Sequence, residues 1–479
     1  MTKKVNQMNF CDVSEDVKQY LWDGTYANLR LTKECNPDSS NGHDEILHQI
    51  ISSLSKPPRY TVLRINTLQT TMDEAHSCLQ EYIQQEYKCK SSPCFSIARH
   101  HIIPDILLVS ASDISIRPKE YNDQVIVGYQ CGVAVSRGAQ VFAPGVLAAP
   151  AGMNRGDIVS VYSDVESNCR RGLIKPFHGK KLFVGNGKAK MSRNEIFGSP
   201  TAPSGIAVTM TEPLYPSPSL NGFLSHSVFL QNLPSVVTSH VLGPRPGEII
   251  LDMCAAPGGK TTHIAQIMQD RGTVIALDKS KPKIAKIKRN LNHLKLTCVK
   301  PFLWDATRAV CENVYEEGES EILKPPFPPN SFDRILLDGP CSALGQRPQH
   351  TCNKSRHELE SFPVYQRKLF NVGVKLLKTG GTLVYSTCTI TSEENERQVA
   401  WALKKFPCLQ LMKQDIHVGG VGLANCGLDD QQRFLVQRFD PLDISEEIRS
   451  KDKHPADTDT IGFFVAKFCK NSGDITGSN

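Results

Sequence analysis

No Cys-x-x-Cys pair occurs in the 479 residues, although the chain carries 16 cysteines; the closest two, Cys89 and Cys94, have four residues between them. That absence argues against a zinc ribbon and against thioredoxin-like dithiol chemistry. A chain of this length is also no small disulfide-stapled secreted domain. The scattered thiols point instead to a reducing compartment, cytoplasmic or nuclear, with the cytoplasm expected, and no metal is expected. No apolar run reaches the length of a membrane span, and "MTKKVNQMNF" lacks the apolar stretch of a signal peptide, so no membrane association is expected. Neither sign of charge dominates: 55 basic against 49 acidic residues leave +6, which permits an anionic partner without demanding one. Internal repeats and long low-complexity tracts are missing too.

What is present falls into three regions, as the length leads one to expect. Residues 1–120 read as a small α/β module, with a strand in "RYTVLRINTL" (59–68) and a helix over about 73–86. Residues 121–213 change texture to short β-branched runs broken by glycine, at the spacing of a small barrel. Between Arg155 and Glu195 this region holds nine Lys or Arg against four Asp or Glu, a local basic strip. A Pro- and Ser-rich linker, "TEPLYPSPSLNG" (211–222), comes next. From 214 to 470, strands expected at 248–251, 273–278, 297–303, 333–337, 382–385 and 462–467 alternate with helices at 261–269, 282–294, 363–377 and 393–404. That alternation predicts an α/β fold, a doubly wound Rossmann-like sheet with ligands at the carboxyl ends of its strands.

The first strand runs into "LDMCAAPGGKTTHIA", a glycine turn opening a helix. A phosphate-binding P-loop would need glycine at 254, where Cys254 stands, so an NTP-driven enzyme is excluded; G-x-G-x-x-G is also missing. The turn Cys254, Ala255, Ala256, Pro257, Gly258, Gly259, Lys260 can still bring backbone N–H groups and a helix N-terminus close to a ligand. Asp278, closing the second strand, is placed to accept from ribose hydroxyls, and Asp305, after the third, to meet an adenine amino group. Three such strand ends without a phosphate cradle suit a nucleoside with an unphosphorylated tail, and S-adenosyl-L-methionine fits.

The fourth strand delivers "LLDGPCSALG" and the fifth "LVYSTCTITSEENE", so Asp338, Cys341 and Cys388 are expected at neighbouring strand ends near Lys260. A single cysteine there reads most simply as a small apolar filler; two beside a carboxylate read as chemistry. Thr391 and Glu394 form a capping-box pattern, so a helix N-terminus next to Cys388 is expected to favour its thiolate.

In order, "FLQNLPS", "LDMCAAPGGKT", "ALD", "LLDGPCSALG" and "LVYSTCTITSEENE" resemble the Sun-type (NOL/NOP/Sun-domain) RNA cytosine-C5 methyltransferases over roughly 220–470. "RGAQVFAPGV", "GDIVSVYSD" and "VGNGKAKMSR" resemble a PUA RNA-binding domain, and the combination resembles a tRNA-modifying branch of the family. The resemblance implies S-adenosylmethionine-dependent methylation of carbon 5 of a cytosine in the tRNA acceptor stem, at position 72. By the same resemblance Cys388 attacks carbon 6, Cys341 assists release, and Asp338, also a cofactor neighbour, holds the cytosine edge with Lys260. The PUA-like region would take the tRNA 3′ end through Arg137, Arg170, Arg171, Lys175, Lys180 and Lys181, in a protein expected to be monomeric. A catalytically silent RNA-binding protein is the competing reading, and it would require neither Cys341 nor Cys388. Two departures from the family pattern stand out: Asp-Ala-Pro-Cys-Ser-Gly reads here with Gly339 and Ala343, and Ile461 replaces an aspartate before Gly462.

Overall fold

The strands expected between 248 and 470 join one eight-stranded sheet in the computed structural model, which describes residues 12–26, 41–87, 94–112, 117–198, 201–220, 222–224, 226–311, 323–441 and 454–472. They are Ile249–Asp252 (β1), Thr273–Asp278 (β2), Val299–Leu303 (β3), Phe332–Leu337 (β4), Leu377–Thr387 (β5), Leu409–Leu411 (β6), Val436–Phe439 (β7) and Phe463–Lys470 (β8). The order is β3-β2-β1-β4-β5-β8-β6, with β7 also pairing with β8. Pairings from β3 to β5 are parallel and those made by β8 are antiparallel. Strand order reverses between β1 and β4, the kind of switch point where open α/β sheets bind ligands.

Period-two alternation decides which helices cover which face. Ile250, Val274, Ala276, Leu336 and Val384 enter the core with Leu233–Leu242 (α1), Gly259–Ile267 (α2) and Lys281–Leu294 (α3). Their neighbours Leu251, Ile275, Leu277, Ile335 and Leu383 enter the opposite core with Arg356–Leu376 (α4) and Glu396–Lys405 (α5). The helix expected over 363–377 starts earlier because Ser355 caps it, accepting from Glu358 N at 3.2 Å; Pro363 is accommodated inside it.

The glycine-broken region forms a six-stranded sheet from Gln124–Val127 to Ile206–Pro213, paired as an open path. Its entry and exit are stapled by one side chain: Asn186 Nδ2 donates to Lys119 O at 2.8 Å and to Glu212 Oε2 at 2.7 Å.

The N-terminal quarter is not one unit. Glu15–Leu21 and Asn41–Leu54 pack against Leu344, Cys352, Leu359 and Ile390 of the large domain. Tyr60–Ile65, Phe95–Arg99 and Ile106–Ala111 form a four-stranded sheet whose outer strand, Val228–Leu230, comes from beyond the β-rich region. The expected linker begins inside the last β-rich strand and is then held down, Ser219 O accepting from Tyr82 Oη and Ser219 N donating to Tyr87 Oη. Asn221 in that linker, and residues 1–11, 27–40, 88–93 and 113–116 of the N-terminal region, lie outside the described residues. No helix among the described residues is long and apolar enough to cross a membrane.

Candidate active site

β4 and β5 pair in parallel with Leu337 opposite Tyr385, so the residues just beyond each strand emerge side by side on one edge. Asp338 Oδ2 accepts from Lys260 Nζ at 2.7 Å, and its Oδ1 accepts from Ser386 Oγ at 2.6 Å. Beside this pair, Cys341 Sγ and Cys388 Sγ stand 3.3 Å apart, at hydrogen-bond distance. The thiols are electrostatically unequal. The hydrogen bond from Cys341 holds Cys388 below the ordinary thiol range; burial opposes it, the Gln346 side chain helps, Asp338 opposes and Lys260 helps. The same hydrogen bond, then burial, pushes Cys341 well up. One sulfur is poised to be the anion while the other keeps its proton.

The helix expected next to Cys388 is not where the capping pattern put it. Thr391 Oγ1 donates to Glu394 Oε1 at 3.0 Å, side chain to side chain, and α5 begins at Glu396 with no side-chain cap bond from Asn395. Glu394 is spent otherwise. Its Oε2 accepts from Ser342 N at 3.0 Å and Gln366 Nε2 at 2.9 Å, and Tyr385 Oη donates to its backbone carbonyl at 2.6 Å. Glu396 lies 3.3 Å from Arg438 Nη1. Glu394 thus braces the Cys341 turn, and the lowered pKa of Cys388 comes first from the hydrogen bond with Cys341.

The residues Cys254 to Lys260 form the turn from β1 into α2. Gly258, at φ +101°, caps that helix in a conformation that L side chains rarely adopt. A cleft of about 300 Å³ is walled by Asp252, Cys254, Gly259, Lys260 and Asp338, with Gln231 closing it from another element. Asp278 is buried at the end of β2, accepting from Ser280 N at 2.9 Å; Asp305 accepts from Thr307 N at 2.9 Å. Asp252 Oδ2 accepts from Thr261 Oγ1 at 2.7 Å, but its buried Oδ1 has no partner. Burial lifts this carboxyl to about 7. A ligand bearing an ammonium or hydroxyl donor would satisfy that orphan, so the residues present fit a nucleoside cofactor with an amino-acid tail.

Arg64, which carried no sequence signal beyond lying in a strand, is a further element of this site. It is fully buried, with Nη1 donating to Gln231 Oε1 (3.0 Å) and to Gly259 O (2.7 Å), and Nη2 to Thr262 Oγ1 (2.9 Å). Burial lowers its pKa to about 9, leaving it charged at neutral pH. Asp105, at the start of the neighbouring strand in the same sheet, accepts from His240 Nε2 of α1 and His263 Nε2 of α2, each at 2.8 Å. The small module thereby grips the helix that carries the glycine turn.

The basic residues of the β-rich region separate into spent and free. Arg137 donates from Nε to Arg347 O at 2.9 Å, closing this region onto the large domain. Arg171 donates to Val146 O at 2.5 Å and Lys181 to Gln124 Oε1 at 2.6 Å. Lys180 lies 3.5 Å from Glu166, whereas Arg170 and Lys175 are exposed. His350 is wedged between the two regions, 3.1 Å from Ser163 Oγ and 3.4 Å from Ser136 Oγ.

A doubly wound sheet with acidic strand ends, a non-phosphate glycine turn and paired thiols defines the class of RNA cytosine-C5 methyltransferases. Residues 239–469 match the family model described as 16S rRNA methyltransferase RsmB/F, and the chain belongs to this family. It is 46% identical over 465 residues to tRNA (cytosine(72)-C(5))-methyltransferase NSUN6 of Homo sapiens, covering 95% of this chain and 97% of that one. It is 32% identical over 429 residues to a tRNA (cytosine(72)-C(5))-methyltransferase of Pyrococcus horikoshii, covering 89% and 93%. The crystal structure of NSun6 from Pyrococcus horikoshii with SFG superimposes with a TM-score of 0.70 at 28% identity, covering 96% of this chain and 99% of that one.

Proposed function

We propose that the protein methylates carbon 5 of cytosine 72 in the tRNA acceptor stem, with S-adenosylmethionine as cofactor, by covalent catalysis through Cys388. The observation that carries this reading is the unequal thiol pair, 3.3 Å apart, beside the Lys260–Asp338 ion pair. Carbon 5 of cytosine is a poor nucleophile. Addition of the Cys388 thiolate forms an S–C6 bond, the C5–C6 π pair moves to C4–C5 and the C4–N3 pair onto N3, and the resulting enamine can attack an electrophile through carbon 5. S-adenosylmethionine supplies that electrophilic methyl group. Asp338, held by Lys260 and Ser386, is fixed to hold the cytosine edge as the ring gains electron density. Release requires loss of the C5 proton and cleavage of the C6–S bond, and Cys341 assists it from beside the adduct.

For the cofactor, the residues Cys254 to Lys260, Asp278 and Asp305 are the holders, with Asp338 beside them. The β-rich region, read as a PUA domain, takes the tRNA 3′ end; Arg170 and Lys175 are free for phosphates, while Lys180, Lys181, Arg171 and Arg137 mainly shape or anchor that surface. The scattered cysteines, with no Cys-x-x-Cys pair, support a reducing compartment such as the cytoplasm.

The test is nucleoside analysis of tRNA after incubation with the protein and labelled cofactor, in native and two variant forms. Native protein should give 5-methylcytosine at position 72. Cys388→Ala should give neither product nor adduct, and Cys341→Ala should accumulate a denaturation-resistant protein–RNA adduct with little product. An adduct from the Cys388 variant alone would exchange the two roles, and absence of label at position 72 would refute the substrate.

A further inference from the structure

We propose that the exposed face of α3 is a docking surface for the phosphate backbone of the substrate RNA, beyond the target cytosine and away from the 3′ end. From 279 to 300 the chain has eight Lys or Arg and no Asp or Glu, a denser positive run than the basic strip of the β-rich region. Lys281, Lys283, Lys286, Lys288 and Arg289 are all exposed, while Ile284, Ile287, Leu291 and Leu294 point into the core.

Three features of this helix work against its own stability, and all with one sign. Its first turn contains no acidic residue although Lys281 and Lys283 lie there, so positive charge meets the positive end of the helix dipole. Lys283, Lys286 and Arg289 recur at i, i+3 spacing, a row of like charges. Ser280 makes no side-chain cap bond. Several other surface cations do have a local partner: exposed Arg155 with Glu195 and Arg356 with Glu360, half-buried Lys18 with Glu15 and Lys354 with Glu358. On α3 the one ion pair among the described residues is Lys283 with Asp278, at 4.0 Å. A polyanion would relieve every one of these costs together.

Position favours the RNA substrate as that polyanion. Asn290 Nδ2 donates to Pro257 O at 2.8 Å, fixing α3 to the glycine turn, and α3 links β2 to β3 on one side of β1. The β-rich region is anchored to the segment after β4, on the other side of β1, through Arg347 and His350. For an RNA whose 3′ end lies on the β-rich region and whose cytosine reaches Asp338, α3 lies on the far side of the site. This inference rests on the proposed reading of the β-rich region for its direction, and on charge for its partner. The helix offers about 21 Å of cationic surface.

The experiment compares native protein with Lys286→Gln/Lys288→Gln/Arg289→Gln, leaving Lys283 intact because it neighbours Asp278. Binding of unmodified tRNA is measured across a salt series, with S-adenosylmethionine affinity and melting temperature as checks on folding. The variant should bind tRNA about tenfold more weakly at moderate salt, and its log–log salt slope should be shallower by roughly two. Its melting temperature should be unchanged or higher, because like-charge repulsion has been removed. A tRNA affinity within twofold of native with an unaltered slope overturns the proposal, even if native protein still methylates tRNA. A melting temperature well below native also overturns it, since the charges would then be structural. Lys286→Glu guards against a fold defect in the triple variant, and should weaken binding more than Lys286→Gln does.

Discussion

Ala343 lies at φ +59°, in the left-handed region, at the one position of its turn where the family pattern has glycine. An L side chain there costs about 1–2 kcal/mol, and glycine would return about 0.5–1 kcal/mol of that through the greater freedom of the unfolded chain. Ala343→Gly should therefore stabilise the protein by about 0.5–1 kcal/mol, read as a raised denaturation midpoint. Gly339 offers less leverage: an added Cβ would stand 3.1 Å from Leu369 Cδ1, a contact that a small side-chain movement can relieve. Ile461, where the family pattern has aspartate, is buried in the core below α1, so the exchange replaces a polar position by packing. At this scale much of the site was legible in advance. A parallel sheet delivers all its strand ends to one edge, so Asp278, Asp338, Cys341 and Cys388 could be placed from strand patterns alone. The helix start after Cys388 could not, because Glu394 finds stronger partners in Ser342 and Gln366, on other elements, than in its own backbone.

Among elements, α2 depends on contacts that no local pattern encodes. Arg64 belongs to a strand far back in the chain, yet its guanidinium holds the first-turn carbonyl of the helix behind the glycine turn. Arg64→Met would take the guanidinium donors away from Gln231 Oε1 and Thr262 Oγ1 and leave Gly259 O with only the Thr262 hydroxyl as side-chain donor, and should cost about 2–4 kcal/mol of stability. Because Arg64 acts through the turn, the KM for S-adenosylmethionine should rise several-fold with a smaller change in kcat. Arg64→Lys keeps the charge without the planar fork and should fall between. Equal loss of kcat and kcat/KM in a folded Arg64→Lys protein would mean that it acts on the transition state instead. Element type was legible here and element partnership was not: the strand was visible at 59–68, but its neighbour Val228–Leu230 arrives only after the β-rich region.

For the molecule as a whole, His350 couples the β-rich region to the large domain, and burial, reinforced by Arg137, lowers its pKa from 6.5 to about 4. The unfolded chain takes up the proton first, so stability is full above about pH 6.5 and is lost as pH falls towards 4. The shift corresponds to at most roughly 3 kcal/mol. Buried His263, with a pKa lowered to about 3, adds to the same acid loss, so the comparison must be with a variant. His350→Gln can keep hydrogen bonds to Ser163 and Ser136; its denaturation midpoint should vary less between about pH 7 and about pH 4.5 than that of the native protein. Parallel curves would assign the acid sensitivity elsewhere. That strands fill 124–213 and alternate with helices beyond 248 was legible from texture, whereas the split of the first 120 residues was not, since amphipathic helices do not reveal which core receives them.

The staple at Asn186, joining the entrance and exit of the β-rich region, has a consequence for synthesis. The strands before that region share a sheet with Val228–Leu230 after it, so during translation the small sheet must wait, one edge open, until the whole insert has left the ribosome. By bringing Lys119 and Glu212 together, the insert returns the nascent chain to where it departed, and the waiting edge receives its strand without a long search.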